Sequence, residues 1–193
     1  MKYRCNCDTK FNIAQSQAGG NSLYTSWRIQ NEIINLIGQK LIDKIVVKIK
    51  SARYFSVIFD ETTDISGLEQ ISFVLRYYHS PTNKIIEQFV GFKDCFDELE
   101  EGDKLSLTGL NLGKIVIQFI KKIGLDIKFC TSLGTDGCSV MSSVEAGAVA
   151  TIKTQATVAS HSICLNHCIN LSVNKSCSIP DIEIIFQILK KNL

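Results

Sequence analysis

The stretch Ala52-Arg53-Tyr54-Phe55-Ser56-Val57-Ile58-Phe59-Asp60-Glu61-Thr62-Thr63-Asp64-Ile65 decides the fold. Its middle, Tyr54 to Phe59, is short, nearly all apolar and rich in β-prone residues, the pattern of a central strand covered on both faces. Asp60 follows at once. A carboxylate just past a buried strand is fixed by the sheet while its oxygens reach the rim, a place suited to holding a cation.

Upstream, Ile29, Ile33, Ile34, Ile37, Leu41, Ile42, Ile45, Val46 and Ile49 recur at three- and four-residue steps and so share one face of a long helix. Ser26 is placed to cap its start, and Lys44, Lys48 and Lys50 gather where positive charge suits the exposed carbonyls. Residues 1–24 are polar and read as a poorly ordered lead-in. Downstream, Ile71, Phe73, Leu75 and Tyr77 alternate with Ser72, Val74, Arg76 and Tyr78, which predicts a half-buried strand. His79-Ser80-Pro81-Thr82-Asn83 then turns the chain into a third strand, Lys84 to Phe92, and the short links favour an antiparallel meander.

Asp94, Asp97, Glu98, Glu100, Glu101 and Asp103 form an acidic run best read as a solvated loop. Leu112, Ile115, Val116, Phe119, Ile120 and Ile123 predict a helix ending at Gly124, and Asp126 to Leu133 predicts another strand. A helix is expected within 144–160, an extended piece at His161–Cys164, a helical turn from Leu165, and a last helix opened by Pro180. The order helix, three strands, helix, strand, helix, short strand, helix implies a mixed sheet flanked by helices.

Bulk properties bound the function. The chain has 193 residues, 45% of them apolar, and a net charge of +2, so it can form a core and its bulk charge makes no case for nucleic acid. It contains no apolar run long enough to span a bilayer, and the start Met-Lys-Tyr-Arg-Cys-Asn-Cys lacks the apolar middle of a secretion signal, so an intracellular protein is expected. Eight cysteines without paired C-x-x-C knuckles then read as buried thiols, Cys130 in its apolar run being the clearest.

Asp136 repeats the situation of Asp60. It follows the apolar run ending at Leu133, and Gly134 and Gly137 let the backbone turn around it. Two strand-end carboxylates on neighbouring strands can share divalent cations that orient water and leaving group in phosphodiester hydrolysis. The bland alternative is that each aspartate merely starts a turn.

The stretch from Ala52 to Ile65 resembles the first catalytic block of hAT-superfamily DDE transposases, of the kind related to zinc-finger MYM-type and other transposase-derived proteins. Ile29-Gln30-Asn31-Glu32-Ile33-Ile34, Glu69-Gln70-Ile71-Ser72, Leu75-Arg76-Tyr77 and Glu87-Gln88-Phe89-Val90-Gly91-Phe92 are similar to the same group. So are Thr135-Asp136-Gly137-Cys138-Ser139-Val140-Met141 and Cys164-Leu165-Asn166-His167-Cys168-Ile169-Asn170-Leu171, all in collinear order. The resemblance implies a ribonuclease-H-like α/β fold, with Asp60 and Asp136 as the first two catalytic acids and ligands for Mg²⁺ or Mn²⁺. It implies DNA as partner, cleavage of a DNA phosphodiester followed by strand transfer, residence in the nucleus, and self-association of the full-length protein. Cys164, Asn166 and His167 become DNA- or pocket-contacting residues, and Glu61 an outer partner of the metal site.

In that family the third acid, a glutamate, lies beyond a large helical insertion. The expected organisation is therefore a lead-in over 1–24, a partial ribonuclease-H-like domain over 25–175 and the start of the insertion over 176–193. Glu183 falls too early to be the third acid, and Val140 stands where an asparagine often precedes the methionine. A truncated copy is expected, inactive alone, and the alternative function is a domesticated remnant that binds DNA or protein without cleaving it. Zinc on His161, Cys164, His167 and Cys168 is disfavoured because Cys168 adjoins His167. The haloacid-dehalogenase phosphatases share an aspartate after an apolar strand, but Thr62 stands where their second aspartate belongs. Arg53, Arg76, Lys121, Lys122, Lys190 and Lys191 are candidate phosphate contacts, with solvated surface cations as the ordinary reading.

Overall fold

The computed structural model describes residues 26–96 and 107–176, with Ile13, Gln17 and Gly19 besides. The acidic run from Asp97 to Asp103, the helix at Pro180, and Lys190 and Lys191 lie outside the described residues. The chain divides into two compact units, Met1–Asp43 and Lys44–Leu193, and the sheet belongs to the second. None of the described helices is long and apolar enough to cross a membrane.

Helix α1, Trp27–Ala52, starts where expected, the Ser26 hydroxyl accepting the Ile29 N–H at 3.3 Å. Periodicity specifies a face, but only a packing partner buries it. Ile45, Val46 and Ile49 are buried, whereas Ile33, Ile34, Ile37 and Leu41 are exposed.

Three strands form the meander: β1 Phe55–Thr63, β2 Glu69–His79 and β3 Lys84–Asp94, each antiparallel to the next. After helix α2, Gly109–Lys122, strand β4, Cys130–Thr135, joins β1 in parallel. Helices α3, Ser139–Ser142, and α4, Ala148–Lys153, lead to β5, Ser160–Ile163, which is parallel to β4, and α5 spans Leu165–Ser176. The sheet order β3-β2-β1-β4-β5 puts β1 at the centre. This mixed sheet with its helices is the ribonuclease-H-like arrangement that the sequence implied.

One face of the sheet is the core. Phe55, Val57 and Phe59 of β1 and Ile71, Phe73, Leu75 and Tyr77 of β2 are all buried, as period-two alternation requires. Register places Phe59 opposite Phe73 and Val57 opposite Leu75, so the buried set is continuous across the strands. Helix α2 covers it. Its Phe119 ring stacks on Phe73 at 4.2 Å between centroids, and Leu112, Ile115, Val116 and Ile120 are buried. Thr108 caps α2 by accepting the Asn111 N–H, and Gly124, at φ 83°, follows its end. Gly113 lets α4 approach α2: a Cβ there would sit 2.5 Å from the Thr151 Cβ.

Three expectations are corrected. Strand β1 continues past Phe59 to Thr63, so Asp60 lies within it, opposite Ser72, because β2 keeps pairing where β4 no longer does. The same strand is not covered on both faces, since Ser56 and Ile58 are only half-buried. Strand β4 starts at Cys130, not Asp126, because the Asp126 carboxylate accepts the Lys128 N–H at 3.0 Å and opens a short 3-10 turn, Ile127–Phe129. The helix expected within 144–160 is found at Ala148–Lys153, and the four-residue α3 precedes it, its Ser142 hydroxyl donating back to the Cys138 carbonyl at 2.8 Å.

Candidate functional site

The side of the sheet away from the core carries the candidate site. Strands alternate, so Ser56, Ile58 and Asp60 point away from Val57 and Phe59. On β4, Ser132 pairs with Ser56 and Gly134 with Ile58. The pairing stops there, and two residues further along each segment Asp60, still in β1, and Asp136, just past β4, line the same cavity. Gly134 suits the close approach there, because a Cβ would meet the Ile58 side chain at 3.1 Å and push it aside.

A cavity of ≈ 530 Å³ opens over this face, and Asp60, Asp136, Arg76, Ser162, Cys164 and His167 are on its walls. Partial burial raises the Asp60 pKa and the Asp136 charge raises it further, while the Glu61 N–H and His167 pull it back. Neither aspartate has a lysine or arginine within ion-pair distance among the described residues. Their like charges are offset only in part, by the Glu61 and Cys138 N–H groups and by His167. That is the electrostatic condition that a divalent cation relieves, and carboxylate oxygens are its preferred donors.

Several bonds hold Asp136 in place. Its carboxylate accepts the Cys138 N–H at 3.3 Å, and its carbonyl accepts the Thr135 hydroxyl at 2.7 Å. Thr135 is 4% exposed and also lies 2.9 Å from His161 Nε2. With the hydroxyl donating to the Asp136 carbonyl, this contact suits the tautomer that carries its proton on Nε2. Burial, and then Lys153, lower the His161 pKa and keep the ring neutral. The Thr135 carbonyl in turn accepts the Cys164 N–H at 2.9 Å, tying the end of β5 to the same loop.

The other candidates divide. Cys164 and His167 reach the cavity, and Asn166 is exposed and outside its lining. Glu61 points to the opposite side of β1 from Asp60, across from Ile71. Burial raises its pKa, with Glu69, Asp136 and Asp60 adding to the effect. Asp64 is taken up by its turn, accepting the Ser66 and Leu68 N–H groups at 2.8 and 2.9 Å. Arg76 is on the cavity wall and pairs with Glu87 at 3.2 Å. Among the described residues, no three His, Cys, Asp or Glu side chains are grouped to hold a metal.

Sequence reasoning missed the hydroxyls of Ser56, Ser132 and Ser162 and the Thr135–His161 bond. Alternation against the buried set would have found Ser56. The Thr135–His161 bond joins residues 26 positions apart and leaves no local trace.

A mixed five-stranded sheet, with paired carboxylates on the uncovered side of its two central parallel strands, defines a ribonuclease-H-like domain. The chain belongs to the ZMYM1/FAM200 RNase-like domain family (DUF4371), whose model matches residues 2–147. It is thus a transposase-derived, RNase-like domain. The match contains Asp60 and Asp136, and His161, Cys164 and His167 lie beyond it.

Proposed function

We propose that this domain descends from the catalytic core of an hAT-type DDE transposase and that Asp60 and Asp136 hold Mg²⁺ or Mn²⁺ against a DNA phosphodiester. The carrying observation is that the two carboxylates, 76 positions apart in sequence, line one cavity, Asp60 from β1 and Asp136 from the residue after its parallel neighbour β4. A bound divalent ion would supply Lewis-acid stabilisation of the phosphoryl oxygens and an activated water. The chain supplies the rest. Asp60 and Asp136 hold the ion, the Thr135–His161 pair fixes the Asp136 backbone, and Arg76 and His167 offer donors for a phosphate on the cavity wall. Substrate DNA makes the nucleus the proposed location.

A second reading, a module that binds DNA or protein without cleaving it, is favoured by one observation. No third acid joins the pair among the described residues.

Titration calorimetry with Mn²⁺ separates these readings. Binding heat in the wild type that disappears in Asp60→Asn and Asp136→Asn is expected. Nicking of a labelled DNA duplex in Mn²⁺, lost in the same variants, identifies the enzyme, and heat without nicking identifies the module. A wild type that takes up no Mn²⁺ overturns the metal site.

A further inference from the structure

A second cavity, of ≈ 310 Å³, lies at the other end of β1, between the end of α1 and the turn before β4. Lys50, Arg53, Phe129 and Asp126 are among its walls. Five residues of strand separate Phe55 here from Asp60, about 16 Å, so the two sites are distinct.

Its chemistry is cationic and aromatic. Arg53 holds its guanidinium carbon 5.4 Å from the Tyr54 ring centre and 5.6 Å from that of Phe129. The two rings meet edge to face at 6.2 Å, and Tyr54 and Phe129 are 50% and 37% exposed. Arginine reaches this position with φ 69°, at the end of α1, where glycine is the usual residue. Such a conformation costs an arginine stability, which directs attention to what its side chain does.

The ordinary explanation is that Lys50 and Arg53 only complement the end of the α1 dipole. Arg53 does not fit it well, because its guanidinium lies over two rings. The one carboxylate in the cavity wall, Asp126, accepts the Lys128 N–H and forms no ion pair with Lys50 or Arg53 among the described residues. Positive charge is left beside two partly exposed rings. A phosphate would pair with the cations while its base stacks on the rings, the combination used in sequence-tolerant single-strand binding.

We infer that the cavity walled by Lys50, Arg53 and Phe129, with the Tyr54 ring beside it against Arg53 and Phe129, is a binding site for a nucleoside phosphate, as a free nucleotide or as a unit of single-stranded nucleic acid.

The test is fluorescence anisotropy of a labelled ten-residue oligothymidylate with the full chain in EDTA, which silences any metal-dependent contact at Asp60 and Asp136. Arg53→Gly suits the left-handed backbone while removing the guanidinium. It and Tyr54→Ala are each expected to weaken binding about tenfold, in the range of losing one base-stacking partner. Lys84→Ala, on an exposed lysine of β3, should leave binding unchanged, and Lys50→Gln serves if Arg53→Gly lowers the melting temperature. Competition by thymidine 5′-monophosphate points to the free nucleotide, and its absence points to the strand. Undetectable binding, or equal losses in Lys84→Ala and Arg53→Gly, overturns the proposal. Retention of binding in Asp60→Asn is expected and keeps this result separate from the fate of the metal site.

Discussion

On one side of the central sheet Val57, Phe59, Phe73, Leu75 and Leu133 are fully or almost fully buried, and on the other Ser56, Ile58, Asp60, Ser132 and Asp136 line an open cavity. The same strands supply both sets, one residue apart. Covering the first side with α2 excludes water and supplies stability. Leaving the second side open keeps the carboxylates reachable, at the cost of like charges held close together. The sheet thus separates folding from chemistry by parity alone, and a one-residue slip of register would exchange the two roles.

The largest test of that division is Phe73→Ala, which removes the ring stacked on Phe119. It is expected to cost about 3–5 kcal/mol in urea unfolding. Ser56→Ala, on the open side, should change stability by less than about 0.5 kcal/mol. Similar losses from the two would show that the sides are not energetically distinct.

Next is Thr135→Val, which keeps the shape but removes the hydroxyl joining His161 to the Asp136 carbonyl. Losing the bonds to those half-buried groups is expected to cost about 1 kcal/mol, and the Asp136 loop should exchange its amide hydrogens faster. Unchanged exchange at Asp136–Cys138 would mean that the bond does not position the acid.

The smallest effect has the opposite sign. The Asp60 pKa is raised above its ordinary 3.8 in the folded chain, so the folded state binds this proton more tightly than the unfolded state. Its favourable contribution is complete below 3.8 and is lost as pH rises through the folded value. Metal-free Asp60→Asn should therefore be slightly more stable than the wild type at pH 7, and the gap should close in acid. Saturating Mn²⁺ should reverse the order, because an ion bound only to the folded wild type stabilises it. Urea midpoints followed from pH 3 to 7 would show this, and a variant less stable at neutral pH without metal would refute the charge-strain account.

The meander was legible because alternation leaves a local record. Ile71, Phe73, Leu75 and Tyr77 stand out in sequence and are all buried. The end of α2 was legible for the same reason, Gly124 being a local stop signal with the positive φ that glycine favours. Competition between neighbours was harder to read. Asp126 stood in an apparently continuous strand, yet its side chain closes a turn. Asp60 was expected at a strand end and instead continues the strand, because β2 outlasts β4 as its partner.

Asp60 and Asp136 stood out from their own neighbours, an apolar run before each and glycines around the second. Sequence alone also determined which residues could be strand, helix or turn, since those preferences reside in the adjoining side chains and backbone. That the two acids share a cavity with Arg76 and His167, that Thr135 spends its hydrogen on the Asp136 carbonyl, and that Arg53 lies over Phe129 were decided only by tertiary structure. Each depends on sheet register or on the meeting of residues far apart in the chain, and pairing across space is not encoded in any single local pattern.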